Sequence, residues 1–458
     1  MMTSKPPHAY SLLTDLYQLT MAQGYWAAGK ADVEAVFHLY IRRGPFGAAG
    51  AIVAGVGAAA DLVENFGLDD GDKEYLRSLC GADGGPLFQP EFLDWLVNVA
   101  PCIDIDAIPE GEFVFPNQPI LRVSGPLAIC QILETALLNL VNFHTLIATK
   151  AARVRIAAGD DTVLEMGLRR AQGQDGAMAA SYAAYVGGVD ATSNVLAGRK
   201  FGIPIRGTHA HSWVMAFDTE PAAFQAYAEQ MPNNCVFLVD TYNTVEGIRN
   251  AITTAGELAT QGHKLLGIRL DSGDLCELSK TARTMLDQAG LEDTAIVASS
   301  DLDEHRITEL KAAGAKITVW GIGTRLVTGH DQPALGGVYK LGSIRRTGGT
   351  WRDVAKHSED AIKASLAGHL DGVRQYDEQG SPVADLITDP RGAEPALGRG
   401  AVNQRSILRL LIRGGQRQNT DDLQEARRLA AVSREFFAAE LMENETDYPV
   451  TTALPDCP

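Results

Sequence analysis

The sequence predicts an α/β protein centred on a barrel of parallel strands, and three observations carry that reading. Between residues 162 and 324 short apolar segments alternate with amphipathic ones in a repeating strand-then-helix beat. The apolar segments are TVLEMG (162–167), PIRGTHA (204–210), VFLVD (236–240), LLGIRLD (265–271), AIVASSD (295–301) and ITVWGIGT (317–324). Such near-continuous apolar runs are what a parallel sheet covered by helices requires. Polar side chains gather where these segments end: Arg169 and Arg170 just beyond the first, Thr208, His209 and His211 at the second, then Asp240, Asp271, Asp301 and Thr324. A closed or nearly closed barrel puts all these ends on one rim, whereas an open sheet spreads them along an edge. The barrel is therefore favoured.

Ahead of the barrel, SLLTDLYQLTMAQGYWAAG (11–29) places Leu12, Leu16, Leu19 and Gln23/Trp26 at helical spacing. VEAVFHLYI (33–41) then alternates, with Val33, Ala35, Phe37, Leu39 and Ile41 on one face, which predicts a half-buried strand. After the Gly/Pro-rich CGADGGP (80–86), the short pieces FVFP and PILRVSG (113–125) are expected as strands of a small mixed sheet. Pro126 opens a long apolar helix running to about Arg155, because proline has no N–H and first-turn amides have no helical partner anyway. From about residue 345 the chain is mixed: a loop-rich EQGSPVADLITDPRGAEPALGRG (378–400), a strand-like SILRLLI (406–412) and a polar helix near 422–441. No low-complexity segment or fixed-period repeat accompanies the strand–helix beat.

Composition narrows the function. The 458 residues are 45% hydrophobic and 21% charged, as in ordinary globular enzymes. A formal charge of −17 argues against a nucleic-acid or anionic-membrane surface, so an anionic ligand must be held by a few locally placed arginines and backbone amides. Cys80, Cys102, Cys130, Cys235, Cys276 and Cys457 form no CxxC pair, which suggests reduced thiols. MMTSKPPHAY lacks an apolar signal core, and the small-apolar run from Gly44 to Ala60 is broken by glycines, so a cytoplasmic protein is expected.

GTHAHS (207–212) sets two histidines one residue apart. On a strand both would share a face, as in metal-dependent barrel hydrolases. The other strand ends offer Asp240, Asp271 and Asp301 but no histidine, so a histidine-rich metal site lacks ligands. The alternatives are two polar residues satisfied at a strand end, or one imidazole acting chemically with its other nitrogen fixed by Asp240 or Asp271. MGLRRAQG (166–173) offers Arg169 and Arg170 to phosphate or carboxylate oxygens, unless they are a solvated surface pair. RLDSGDL (269–275) suits ribose hydroxyls and a magnesium-bound polyphosphate, with Ser272 or Asp274 also able to cap the following helix. GIGTRLVT (321–328) gives backbone amides close approach to a terminal phosphate through Gly321, Gly323 and Thr324.

TDLYQLTMAQGYW, MGLRRAQGQDGA with GGVDATSNV, GTHAHSWVMAF, LVDTYNT, RLDSGDL, GIGTRLVT and GGVYKL stand in an order and spacing that resembles the nicotinate phosphoribosyltransferases, over residues 11 to about 340. The resemblance implies a type II phosphoribosyltransferase fold, an irregular α/β barrel with an N-terminal α/β sandwich-like domain completed by the C-terminal segment. The expected parts are 1–135, 136–344 and 345–458. The implied reaction joins nicotinate to phosphoribosyl pyrophosphate, giving nicotinate mononucleotide and pyrophosphate, and is coupled to ATP hydrolysis through a phosphohistidine that maps to His211 and not His209. It further implies that His211, Asp271 and Arg269 are catalytic, and that Tyr17 from a partner subunit, Thr208 and Arg269 hold nicotinate. Arg169, Arg170, Ser272, Gly321, Gly323 and Thr324 would hold phosphoribosyl pyrophosphate, with Asp271 facing the ribose. Magnesium would arrive with ATP and phosphoribosyl pyrophosphate; no protein metal ligand, no tightly bound organic cofactor, no nucleic acid and no membrane is implied, and the assembly is a homodimer with shared sites. Asn243 in LVDTYNT departs from the aspartate expected in many relatives. A nicotinamide-using relative, a metal-dependent hydrolase and a non-catalytic nucleotide-binding regulator remain as alternatives.

Overall fold

In the computed structural model residues 10–99, 102–356, 365–419 and 422–454 are described, and Cys457 lies outside them. The other five cysteines are free thiols. Two compact units form, Met1–Leu146 with Ala334–Pro458, and Ile147–Pro333. The expected divisions at 135/136 and 344/345 differ from these. The second differs because strand Gly337–Arg345 pairs antiparallel with Glu34–Ile41 along its length and so belongs to the first unit.

In the first unit the predicted N-terminal helix spans Leu16–Ala27. The next strand, Glu34–Ile41, is buried from Ala35 to Ile41 and is not the half-buried strand its alternation suggested. Its second face carries His38, whose Nε2 accepts from the Leu370 amide at 2.9 Å, so a polar residue placed for solvent is buried under the C-terminal chain with that nitrogen engaged. A seven-stranded sheet runs in the order Arg352–Asp353, Gly337–Arg345, Glu34–Ile41, Leu121–Pro126, Asp104–Ala107, Arg409–Arg413, Gln416–Arg417, with every pairing antiparallel. The single strand expected at 406–412 is two: Asn403–Ser406 sits in a separate four-stranded sheet, and Arg409–Arg413 joins the N-terminal one. Between them Ile407 donates its amide to Gly372, and Ile407 and Leu408 are buried, so the turn is anchored by apolar side chains that read as strand. Pro126 ends a strand and precedes Leu127–Ile132; the long helix begins afresh at Glu134 and runs to Ala158.

The second unit holds six parallel strands: β1 Thr162–Glu165, β2 Ala191–Thr192, β3 Val236–Leu238, β4 Gly267–Leu270, β5 Ala295–Ala298 and β6 Val319–Ile322. Their order is β2-β1-β6-β5-β4-β3. Helices Gly173–Gly187, Thr244–Thr260, Leu275–Gln288 and Glu304–Ala312 follow strands and bury one face each, as right-handed parallel crossovers demand. Several start on side-chain caps: Asn243 accepts from the Glu246 amide, Asp274 from Cys276 and Glu277, and Asp303 from Arg306. Asn243 therefore has a local structural task that asparagine performs as well as aspartate.

PIRGTHA (204–210) is not a strand. Only Ile205 makes a bridge, to Thr192, through Thr192 N–H to Pro204 O and Arg206 N–H to Thr192 O. Pro204 has no amide hydrogen to extend the ladder on its N-terminal side, on the other side the Asn194 amide goes to Thr192 Oγ1, and by His211 the chain has entered the short helix His211–Met215 with Ala210 as N-cap. The same-face argument for His209 and His211 fails here, since they straddle a helix start. The barrel is irregular at this point: no paired strand stands between Ile205 and β3, and the chain there runs through helices His211–Met215 and Glu220–Gln230.

Candidate active site

The ends of β3 and β4 bring the carboxylates together around His211, the first residue of its helix. Its Nδ1 lies 3.1 Å from the Thr241 hydroxyl, while Nε2 lies 3.9 Å from Asp240 Oδ1 and 3.8 Å from Asp271 Oδ2. The latter two exceed hydrogen-bond length but place two carboxylates on the Nε2 side of the ring. Asp240 is the fixed member. Its buried Oδ2 accepts from the Asp271 amide at 2.8 Å and from the Ser272 hydroxyl at 2.7 Å, and its Oδ1 has no hydrogen-bond partner among the described residues. Ser272 thus ties the RLDSGDL turn to Asp240, and the cap expected from Ser272 or Asp274 is supplied by Asp274.

Arg269 organises the neighbouring wall. Its Nε donates to Ser299 Oγ at 2.8 Å, Nη1 to Thr208 Oγ1 at 2.9 Å and Nη2 to Asp271 Oδ1 at 2.9 Å. These contacts use three of the five N–H donors of a guanidinium, leaving one on each terminal nitrogen for a ligand. Asp271 also accepts from the Ser299 hydroxyl. Burial by itself would raise the Asp271 carboxyl, but the hydrogen bonds from Ser299 and Arg269 and the charges of Arg269 and His211 outweigh it, so its pKa is lowered. Thr241 and Ser299 were not among the expected site residues; each lies beside one in sequence, in LVDTYNT and AIVASSD.

The adjacent strands β1 and β6 bring the arginine and glycine motifs together although about 150 residues separate them. The Met166 amide donates to Ile322 O at 2.7 Å. A Cβ on Gly167 would lie 2.3 Å from Val327 and 3.0 Å from Gly323 O, so the close fit of these two loops requires glycine there. Gly321 and Gly323 pack on Met166 in the same way, and Thr324 opens the turn Thr324–Val327. Glu165, wholly buried, accepts from the Gly167 amide, from Ser181 at 2.8 Å and from Thr192 at 2.5 Å, which fixes the turn from which Arg169 and Arg170 project into solvent. At the end of β5, Ser300 (φ 107°) and Asp301 (φ 41°) adopt left-handed backbone, a strained state that such short polar residues tolerate at functional rims. They line a cavity of about 440 Å³ with Asp303, Arg306 and Arg325.

His209 goes elsewhere. It is buried beside the rings of Phe224, Tyr227 and Phe237, its Nε2 accepts from the Leu238 amide at 3.3 Å, and its Nδ1 lies 3.3 Å from Ala210 O. Both ring nitrogens are engaged within the fold, so His209 and His211 do not converge as a ligand pair. Tyr17 belongs to the first unit, half exposed on helix Leu16–Ala27 near exposed Leu13, Leu16 and Met21.

The sequence matches the nicotinate phosphoribosyltransferase N-terminal domain over residues 12–142 and the nicotinate phosphoribosyltransferase family over residues 162–372. The chain belongs to the nicotinate phosphoribosyltransferase family. Among curated relatives, the nicotinate phosphoribosyltransferase of Bacillus subtilis is 49% identical over 359 residues, covering 78% of this chain and 71% of the relative. That of Homo sapiens is 37% identical over 499 residues, covering 93% and 91%. The crystal structure of the human enzyme superposes with a TM-score of 0.82 at 32% identity, over 97% of this chain and 98% of that one. A nicotinate-nucleotide pyrophosphorylase structure from Pyrococcus furiosus, 20% identical with a TM-score of 0.74 over 96% and 98%, shares the fold. The enzyme is accordingly a nicotinate phosphoribosyltransferase of NAD salvage, acting on small-molecule substrates, and its fold is the irregular α/β barrel of that family. Among the described residues no helix is long and apolar enough to cross a membrane.

Proposed function

We propose that this phosphoribosyltransferase couples nicotinate mononucleotide formation to ATP hydrolysis through a phosphorylated His211, and that it works as a homodimer with shared sites. The observation that carries the reading is the setting of His211: partly exposed at the rim, 3.1 Å from a hydroxyl, and within 4 Å of two carboxylates. Phosphate transferred to that ring adds negative charge and acceptor oxygens beside Asp271, where they reorganise the anion site.

In the transfer itself the pyridine nitrogen attacks ribose C1, the bond from C1 to the pyrophosphate oxygen breaks, and the electron pair leaves with pyrophosphate. Positive charge builds on the sugar, and Asp271, held ionised by Arg269 and Ser299, faces it. The two remaining N–H donors of Arg269 match the nicotinate carboxylate, with the Thr208 hydroxyl beside them. Arg169, Arg170, Ser272 and the Gly321–Gly323–Thr324 loop receive the phosphates, which the exposure of the two arginines and the tight glycine packing support. Tyr17 from the second subunit stacks on the pyridine ring; its exposed position on an apolar helix face supports a role across an interface. Asp271 and the unpartnered Asp240 Oδ1 offer oxygen donors that would hold a magnesium ion arriving with the substrate phosphates, and such an ion would neutralise polyphosphate charge.

A product assay with nicotinate, nicotinamide and quinolinate in parallel, with and without ATP, tests the reading. Nicotinate mononucleotide formed faster with ATP, and ADP released with it, is the expected result; a rate indifferent to ATP overturns the coupling.

A further inference from the structure

We propose that His209 is a positioning residue: its imidazole takes the place of a missing strand partner at the barrel seam and thereby holds Thr208 and His211 at the rim. The inference rests on the site reading given above for Thr208 and His211.

β3 is the last strand in the hydrogen-bonded order, paired with β4 on one side only. Alternate amides of a strand point to opposite neighbours. The Val239 amide goes to Arg269 O at 3.2 Å, on the β4 side, so the Leu238 amide faces the seam. Leu238 is fully buried, and a buried N–H without an acceptor is costly. In a regular barrel the segment 204–210 would supply a carbonyl, but it leaves the ladder after its bridge at Ile205. His209 Nε2 supplies the acceptor instead, at 3.3 Å. The neutral ring that this requires carries its proton on Nδ1, which faces Ala210 O at 3.3 Å. Burial, and secondarily the charges of Arg269 and His211, lower the pKa of the ring, against the opposing hydrogen bond to Ala210, and keep Nε2 available as an acceptor. The aromatic packing adds a second constraint, with the Tyr227 centroid 5.1 Å from the imidazole and Phe224 and Phe237 stacked on each other beside it.

The consequence lies on either side. Thr208 Oγ1 receives Arg269 Nη1, and three residues on, His211 reaches Thr241, itself three residues beyond Leu238. The His209–Leu238 contact and the His211–Thr241 contact therefore run in step along the seam, and the first sets the register of the second.

The test compares His209→Phe, which fills the aromatic slot without an acceptor, with His209→Gln, whose side-chain oxygen reaches about as far as Nε2. Exchange of the Leu238 amide and steady-state constants for nicotinate are measured on the full chain, with thermal melting as the control for folding. His209→Phe is expected to speed Leu238 exchange on the order of tenfold or more, to raise the nicotinate KM and lower kcat together, and to keep a cooperative melt. His209→Gln is expected to restore most of both. If His209→Phe keeps Leu238 protected, or loses protection with kinetic constants unchanged, the proposal is overturned. A folded His209→Gln that behaves like His209→Phe overturns it as well. Thr208→Val and His211→Ala are run alongside: if they are silent while His209→Phe perturbs exchange, the site reading has failed and the seam contact has not.

Discussion

Replacing Arg269 with alanine is the sharpest probe of substrate choice. The side chain has two N–H donors not used by Thr208, Ser299 and Asp271, one on each terminal nitrogen, free to donate to a carboxylate. Losing a charge-assisted pair costs about 1.5–3 kcal/mol, which corresponds to a nicotinate KM raised by roughly 10- to 150-fold. The same change removes two of the influences that keep Asp271 ionised, leaving the Ser299 hydroxyl and the His211 charge, so kcat falls as well. Arg269→Lys keeps the charge but cannot serve three protein partners and a bidentate ligand, so it should fall between wild type and alanine. The assay varies nicotinate at saturating phosphoribosyl pyrophosphate and ATP, then varies ATP at saturating nicotinate, and repeats the first series with nicotinamide. The KM for ATP should change by less than about threefold, and the preference for nicotinate over nicotinamide should collapse. Equal rises in both KM values, or an unchanged preference, would refute the assignment of Arg269 to the carboxylate.

Incubation with γ-labelled ATP should give an acid-labile, base-stable label that His211→Ala abolishes and His209→Ala retains; the reverse pattern would move the acceptor to the buried ring. Inactive Tyr17→Ala and His211→Ala chains, mixed under conditions of verified subunit exchange, should recover part of the activity, and no recovery would contradict shared sites. Ser299→Ala should move the acidic limb of kcat/KM upward, because it removes a hydrogen bond that lowers the Asp271 pKa. The sign follows from that lowering: the stabilising contribution of Asp271 is full above the unfolded carboxylate value of about 3.9 and is lost as pH falls through the lower folded value. An unmoved acidic limb would detach Asp271 from the profile. Glu304→Ala should destabilise the fold by about 3–5 kcal/mol in denaturant titration, since it takes away the buried carboxylate lying 2.8 Å from Lys150 and 2.9 Å from Arg153; a loss under about 1 kcal/mol would show that this triad is dispensable.

What was legible in the sequence is what local chemistry decides. Strands β1, β3, β4, β5 and β6 fall inside the apolar runs that predicted them, and polar residues follow their C-terminal ends. The segment 204–210 misled because its start, Pro204-Ile205-Arg206, imitates a strand, while the Asn194 amide that would carry the ladder past Arg206 goes to Thr192 Oγ1 instead. The alternation of 33–41 signals one buried face, but whether the other is covered depends on chain more than 300 residues away, at Leu370. Arg409–Arg413 joins Asp104–Ala107 for the same non-local reason. Ser299 and Thr241 escaped notice because a hydroxyl beside a strand end is chemically unremarkable until a guanidinium or imidazole is seen against it.

The strand order gives the rim a polarity that the sequence order conceals. Motifs 166–173 and 321–328 end neighbouring strands, β1 and β6, and together expose two arginines and closely packed glycines. Asp240 and Asp271 end β3 and β4, also neighbours, with β5 between the two groups. A phosphoribosyl transfer separates charge in one direction, anion on the departing pyrophosphate and cation on the sugar. A rim with Arg169 and Arg170 at one side and Asp240 and Asp271 at the other lowers the cost of that separation for a substrate laid across β5. Overall charge is no guide to such a site: at −17 the protein repels polyphosphate at long range, so attraction must come from groups within the Debye length of about 8 Å at physiological salt. On this reading charge reversal at Arg169 or Arg170 should weaken phosphoribosyl pyrophosphate, leave the Arg269 side of the rim intact, and raise the KM for the sugar donor while that for nicotinate stays put.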